Sequence, residues 1–177
     1  YCDWCGARRM KIIVTVLVGG MIALFVVVGR PSLADESTIE YAADDYVICS
    51  ACHLPDGVGI PGVFPPIRNR VSSIAKIEGG RAYLITAISF GLMGNIEVAG
   101  MPYFGVMAGN SGMLSSNQIA NALNYAVFEL SDGDVTDVLP FTNADVIRVQ
   151  SETLTKGPGA AAELRKKIVE AAGDQWP

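Results

Sequence analysis

One short segment carries the residues best suited to chemistry, because two cysteines separated by two residues are followed at once by a histidine. The segment is Cys49-Ser-Ala-Cys52-His53, and His53 is the only histidine in the chain. Two thiols at this spacing can add across the two vinyl groups of a haem, and the adjacent imidazole can then bind the iron. The motif therefore predicts one covalently attached haem c, held by Cys49 and Cys52, with His53 as the proximal iron ligand.

Two other interpretations of a C-x-x-C pair have to be compared with this one. A dithiol redox pair would need a strand-to-helix setting of the thioredoxin type, and a zinc site would need four Cys or His ligands. A second pair, Cys2 and Cys5, is not followed by histidine. The residue after Cys52 therefore favours haem attachment at the later pair, and the earlier pair predicts no site.

The N-terminal region has the features of an export signal. Arg8-Arg9-Met10-Lys11 precedes the uncharged run 12–28, and small residues lead to Ala34. Basic, apolar and small-residue regions in this order are typical of a secretory signal, here cleaved after Ala34. The apolar run is also just long enough to cross a bilayer as an uncleaved anchor. Both alternatives make residues 1–34 a targeting segment and place the remainder in the periplasm or at the outer face of the cytoplasmic membrane.

The charge of the remainder excludes one class of partner. Residues 35–177 hold 9 basic and 17 acidic side chains, hence a net charge of −8, whereas the whole chain has −5. Nucleic acid is not expected to bind, because its phosphates would be repelled. Partners with a basic docking face are expected instead.

The segments after residue 34 predict helices and loops rather than strands. Capping boxes begin at Ser37 and Ser115, each with Glu or Gln three residues later. The predicted helices cover about residues 37–49, 80–90, 115–131, 143–152 and 160–172, and 54–70 is an ordered loop because it holds four prolines and three glycines. Without an alternating βα pattern, the predicted fold is all-α, helices wrapped around one haem, with a peripheral C-terminal tail.

Four segments of the chain resemble the class I (mono-haem) cytochrome c family, over about residues 37–150. They are residues 46–53 with 56–59, 64–67, 91–100 with 103–107, and 114–120 with 123–125. The resemblance implies that the first and last helices cross beside the haem. It also implies a cytochrome domain over residues 35–131, followed by a partly helical extension over residues 132–177.

The resemblance implies roles for particular residues around the iron. A backbone carbonyl of Pro65 or Pro66 would orient the imidazole of His53. Met107, in the loop before the last helix, is the expected distal ligand. Met101 is the alternative, because it is followed by the proline that the family places after its ligand.

Other residues are candidates for contacts with the haem. Arg68, Arg70 and Arg81 are candidates for pairing with the propionates, because a planar guanidinium binds carboxylate in two-pronged fashion. Tyr46 and Tyr125 are aromatic residues that would meet where the two helices cross.

The function implied by two filled axial positions is electron transfer, not enzymatic catalysis. The chain would carry single electrons between redox proteins of a periplasmic or membrane-bound respiratory chain, with no small-molecule substrate. It would contact the membrane through residues 12–28 if these are retained. Two alternatives remain: a haem subunit docked permanently to a dehydrogenase or oxidase through residues 131–177, and an open-site haem protein that binds gases or acts as a peroxidase.

Overall fold

The computed structural model describes residues 43–154, 156 and 159–177. The predicted targeting segment, the capping box at Ser37, and Cys2 and Cys5 lie outside the described residues. Within the ranges that are described, no helix combines the length and the apolar character needed to cross a membrane.

The described chain forms six helices and one two-stranded sheet. Helices α1 to α6 cover Val47–His53, Arg70–Lys76, Gly80–Phe90, Ser116–Phe128, Asn143–Thr153 and Ala160–Ala172, and strands β1 and β2 cover Gly91–Val98 and Met101–Ala108. Short 3-10 helices precede α1 at Ala43–Tyr46 and follow α6 at Gly173–Gln175. The predictions for α3, α5 and α6 are confirmed to within one residue. α1 runs to His53 instead of ending near Cys49, and α2 was not predicted.

The all-α prediction is wrong for residues 91–108, which form an antiparallel hairpin. Gly91 lies opposite Ala108 and Val98 lies opposite Met101. The turn consists of Ala99 and Gly100, with φ of 50° and 76°, a pair of positive values that suits two-residue hairpins because it matches the twist of the strands. A segment that was expected to turn after α3 therefore becomes a sheet that can carry methionines on one face.

Helix α4 lies at the centre of the hydrophobic core. It begins with the predicted capping box, in which the Ser115 side chain accepts from the backbone N–H of Gln118. It ends at Phe128, three residues before the predicted end. The four residues of its predicted apolar stripe are all buried: Ile119, Leu123, Val127 and Leu130.

The tail after residue 131 is not peripheral, contrary to the prediction. Buried Asn124 of α4 exchanges two hydrogen bonds with the backbone of Phe141, at 2.9 Å and 2.7 Å. Tail residues that belong to the common core are Val138, Phe141, Val146, Val149, Ala161 and Ile168. The thin apolar stripes of α5 and α6 suffice because each helix needs to cover only one face of α3 or α4.

Candidate functional site

Helix α1 positions both cysteines and the histidine within two turns. Cys49 is half-buried against the core, Cys52 is exposed, and both thiols are free. Burial raises the pKa of the Cys49 thiol to about 11. Since redox-active dithiols depend on a lowered pKa, this environment disfavours the thioredoxin-like interpretation.

The imidazole of His53 is held by the proline loop. Its Nδ1 lies 2.8 Å from the carbonyl oxygen of Pro65. Because a carbonyl only accepts, Nδ1 carries the hydrogen and Nε2 is the nitrogen with a free lone pair. Burial lowers the pKa of His53, while the bond to Pro65 acts in the opposite direction. The ring is therefore neutral at physiological pH, which is the form that binds metals.

Gly59 lets the loop close tightly enough to present the Pro65 carbonyl. Its N–H donates to the carbonyl oxygen of His53 at 3.0 Å, and its φ is +67°. A Cβ at this position would lie 2.4 Å from the Phe64 oxygen and 2.7 Å from the Pro65 oxygen. The close approach therefore requires glycine, both for its conformation and for its lack of a side chain.

The hairpin places Met107 and Met101 on the same face, since alternate residues of a strand point to the same side. Met107 lies opposite Leu92, is half-buried and packs against the core. Met101 lies at the turn end of the hairpin and is 40% exposed. Met93 and Met113 are more exposed than either. Among these four methionines, Met107 is the one held by the core.

Two aromatic rings join the segment before α1 to α4. Tyr46 and Tyr125 stack with ring centroids 4.9 Å apart and planes inclined by 25°. The Tyr46 hydroxyl donates to the carbonyl oxygen of Leu54 at 2.9 Å, one residue after His53. This contact fixes the end of α1 against the long central helix.

Comparison with known proteins identifies the class of protein. No family model matches the chain. A cytochrome c-552 from one strain of Thermus thermophilus is 38% identical over 145 residues, which cover 81% of this chain and 93% of the relative. A second cytochrome c-552 of Thermus thermophilus is 40% identical over 124 residues, covering 70% of this chain and 92% of the relative. The chain belongs to the c-type cytochromes. It is accordingly a mono-haem electron-transfer protein with covalently bound haem c and its iron.

The residues of this cytochrome provide room for a haem beside Met107. Gly94 and Gly105 lie opposite each other in the hairpin, and no atom lies within 4 Å of a Cβ built on either. The loop after His53 also exposes apolar side chains that a folded protein would ordinarily cover: Val58, Ile60 and Val63. The exposed side chains of Met93, Phe104 and Val106 lie on the other face of the hairpin, away from Met107. With the free Nε2 of His53, the open glycine pair and the exposed loop fit a flat, apolar, iron-containing group.

The three arginines predicted to contact the haem are not brought together. Arg68 pairs with Asp132. Arg81 donates to two backbone carbonyls before α5, at 2.6 Å and 3.1 Å, and pairs with Asp145 at 3.3 Å. Arg70 is half-buried and lies against the tail.

Arg70 has neighbours to which the sequence assigned no role. Its guanidinium carbon lies 5.4 Å from the ring centroid of Trp176, and that of Arg165 lies at the same distance. Arg165 and Trp176 follow the recognised motifs by many residues and match no pattern. Only the packing of α6 against α3 and β1 brings them to Arg70.

Proposed function

We propose that this cytochrome is a six-coordinate electron carrier of the class I type, in which His53 and Met107 are the axial ligands and Cys49 and Cys52 hold the haem. The observation that carries the proposal is the 2.8 Å contact between Nδ1 of His53 and the Pro65 oxygen. It leaves Nε2 as the ligating nitrogen and makes it more basic.

The haem, when bound, supplies an iron that gains and loses one electron. The protein contributes a fixed proximal imidazole through Pro65 and a thioether on a two-stranded sheet, where hydrogen bonds between strands restrict its movement. Filled axial positions suit a carrier rather than a gas-binding protein or a peroxidase. The stacked rings of Tyr46 and Tyr125 support the class I arrangement, in which the first and last helices cross.

Export and partner choice belong to the same proposal. The basic and apolar residues 8–34 support export to the periplasm, by a cleaved signal or a retained anchor. The charge of −8 on residues 35–177 supports a redox partner with a basic docking face, because opposite charges accelerate encounter. We do not propose residues 131–177 as a docking arm, since this tail is part of the protein's own core.

Substitution of the two candidate methionines tests the distal ligand. We expect haem-loaded Met107→Ala to lose the weak far-red absorbance band of oxidised iron–thioether ligation and to bind carbon monoxide rapidly when reduced. Met101→Ala is the matched control and should retain the band. The opposite pattern would assign the ligand to Met101, and a wild type that lacks the band and binds carbon monoxide fully would refute a methionine-ligated carrier.

A further inference from the structure

The hairpin and the loop after it leave the helices as one excursion, here called the distal segment, residues 91–115. It begins directly after α3 and ends directly before α4. Both candidate distal ligands, Met107 and Met101, lie within it, and most of its residues are exposed. Because few of its side chains are buried, its position relative to the helices depends strongly on how its two ends are held.

The returning end of the distal segment is bonded to the end of α3. The N–H of Asn110, three residues after Met107, donates to the carbonyl oxygen of Ile88 at 2.8 Å. The N–H of Ser111 donates to the carbonyl oxygen of Ser89 at 3.1 Å. A movement of the last turn of α3 would therefore move the backbone just after Met107.

Gln150 of α5, in the C-terminal tail, joins the two ends of the distal segment. Its Nε2 donates to Oγ of Ser89 at 3.1 Å, and its Oε1 accepts from Oγ of Ser116 at 3.1 Å. Ser89 lies two residues before the segment, and Ser116 directly follows it. These two bonds, here called the Gln150 bridge, therefore connect the point where the segment leaves the helices with the point where it returns.

Gln150 occupies a position at which an apolar side chain would suffice for packing. Val146, four residues earlier, and Thr153, three residues later, share its face of α5, and both are buried. Ser89 is buried as well, with 1% of its surface exposed. A polar group in such a place costs free energy unless it is bonded, and the amide of Gln150 is bonded through both its nitrogen and its oxygen. Satisfied polar networks of this kind make a protein interior more rigid and specify one arrangement of it.

We propose that Gln150 is a positioning residue for the sixth ligand of the iron. By joining Ser89 to Ser116 it holds the two ends of the distal segment together, so that the thioether of Met107 stays bound. The proposal rests on the proposed function, because it needs Met107 as the distal ligand. It assigns to the tail a role in electron transfer, since a carrier depends on a sixth position that stays filled.

Binding of imidazole to the oxidised, haem-loaded protein tests the proposal. An added ligand binds only those molecules in which the sixth position is open, so its apparent dissociation constant falls in proportion as that fraction rises. Loss of hydrogen bonds of ordinary strength changes such an equilibrium by about tenfold. The apparent dissociation constant of imidazole, measured by absorbance titration, should therefore be about tenfold lower in Gln150→Leu than in the wild type.

Ser116→Ala removes only the bond of the bridge to α4 and leaves the capping residue Ser115 in place. It should strengthen imidazole binding in the same direction as Gln150→Leu. The double variant should add little to the effect of Gln150→Leu alone, because both changes break one connection. Since Ser116 lies at the start of its helix and is partly exposed, this variant also tests the proposal should Gln150→Leu fail to fold.

Asn124→Ala is the matched control, because Asn124 also bonds the tail to the core, but at Phe141 and not at an end of the distal segment. It should lower the free energy of unfolding and leave the imidazole affinity unchanged. An equal gain of affinity in Asn124→Ala would overturn the proposal, since any loss of stability would then open the site. Unchanged affinity in both bridge variants would also overturn it. A wild type that lacks the far-red band of iron–thioether ligation would refute the proposed function itself, and that outcome is recognised before any variant is compared.

Discussion

Replacement of Gly59 by alanine should weaken the hold on the proximal histidine. A methyl group at Gly59 would lie 2.4 Å from the Phe64 oxygen and 2.7 Å from the Pro65 oxygen, well inside contact distance. Both oxygens belong to backbone and cannot rotate away as a side chain would. The loop must therefore shift, and it carries with it the carbonyl that accepts from Nδ1 of His53.

The size of the effect follows from two contributions. The left-handed backbone at φ +67° costs an alanine roughly 1–2 kcal/mol. Loss of a hydrogen bond adds about 0.5–1.5 kcal/mol. If that bond stabilises mainly the oxidised iron, through a more basic imidazole, its loss raises the reduction potential by roughly 20–60 mV, because 1.4 kcal/mol corresponds to about 59 mV for one electron.

Gly62→Ala separates the two contributions. Gly62 has a similar φ of +72°, but no atom lies within 4 Å of a Cβ built there. Spectroelectrochemical titration and thermal unfolding of both haem-loaded variants provide the measurement. Gly62→Ala should be destabilised with an unchanged potential, whereas Gly59→Ala should show the larger destabilisation and the higher potential. Equal potentials in the two variants would refute the argument that Gly59 positions the Pro65 carbonyl.

Three further predictions concern the hairpin, the tail and acid stability. Gly91→Ala would place a methyl group 2.4 Å from the Met107 carbonyl oxygen. The backbone of Met107 must then shift, so the far-red absorbance band of iron–thioether ligation should weaken. Gly100→Ala is the control and should keep the band, because Gly100 has a similar φ and no atom lies within 4 Å of a Cβ built there. Asn124→Ala leaves the buried backbone N–H and C=O of Phe141 unpaired and should lower the free energy of unfolding, measured in urea, by about 2–3 kcal/mol. A loss below about 1 kcal/mol would contradict the argument that the tail stabilises the core through these two bonds. Burial raises the pKa of Asp145, but hydrogen bonds within its helix cap and a nearby arginine lower it on balance below 3.8. Its stabilising contribution should therefore be present above about pH 4 and lost as the pH falls further, and circular dichroism at several pH values should show a flatter acid dependence for Asp145→Asn.

The sequence predicted most of the helices because their signals are local. The capping box at Ser115 directly precedes α4, and the glycine after Phe90 directly follows α3, so each marks a boundary of its helix in the sequence. The hairpin was missed because its strands hold three glycines and alternate only weakly between apolar and polar residues. Its pairing depends on contacts across the turn, which a search for helix periodicity does not detect.

Some residues of the candidate site could likewise be predicted from a short motif, whereas others are brought together only by the fold. The Cys-x-x-Cys-His segment lies on one short helix, so its chemistry could be inferred without a fold. The grouping of Arg70 and Arg165 around Trp176 depends on the packing of α6 against α3 and β1, and Arg165 is separated from Arg70 by most of the described chain. No local pattern distinguishes such an arginine from the solvated basic residues beside it, Lys166 and Lys167.

Two glycines allow close backbone contacts beside the two proposed axial ligands. Gly59 allows the loop after α1 to fold back on itself, and Gly91 allows the hairpin to leave α3 against the backbone of Met107. Each admits a backbone approach that any Cβ would prevent, and each lies beside one of the two proposed axial ligands. The backbone beside each proposed ligand is therefore set in part by a glycine that is not itself a ligand. A variant that keeps both ligands but replaces either glycine should consequently still change the haem site.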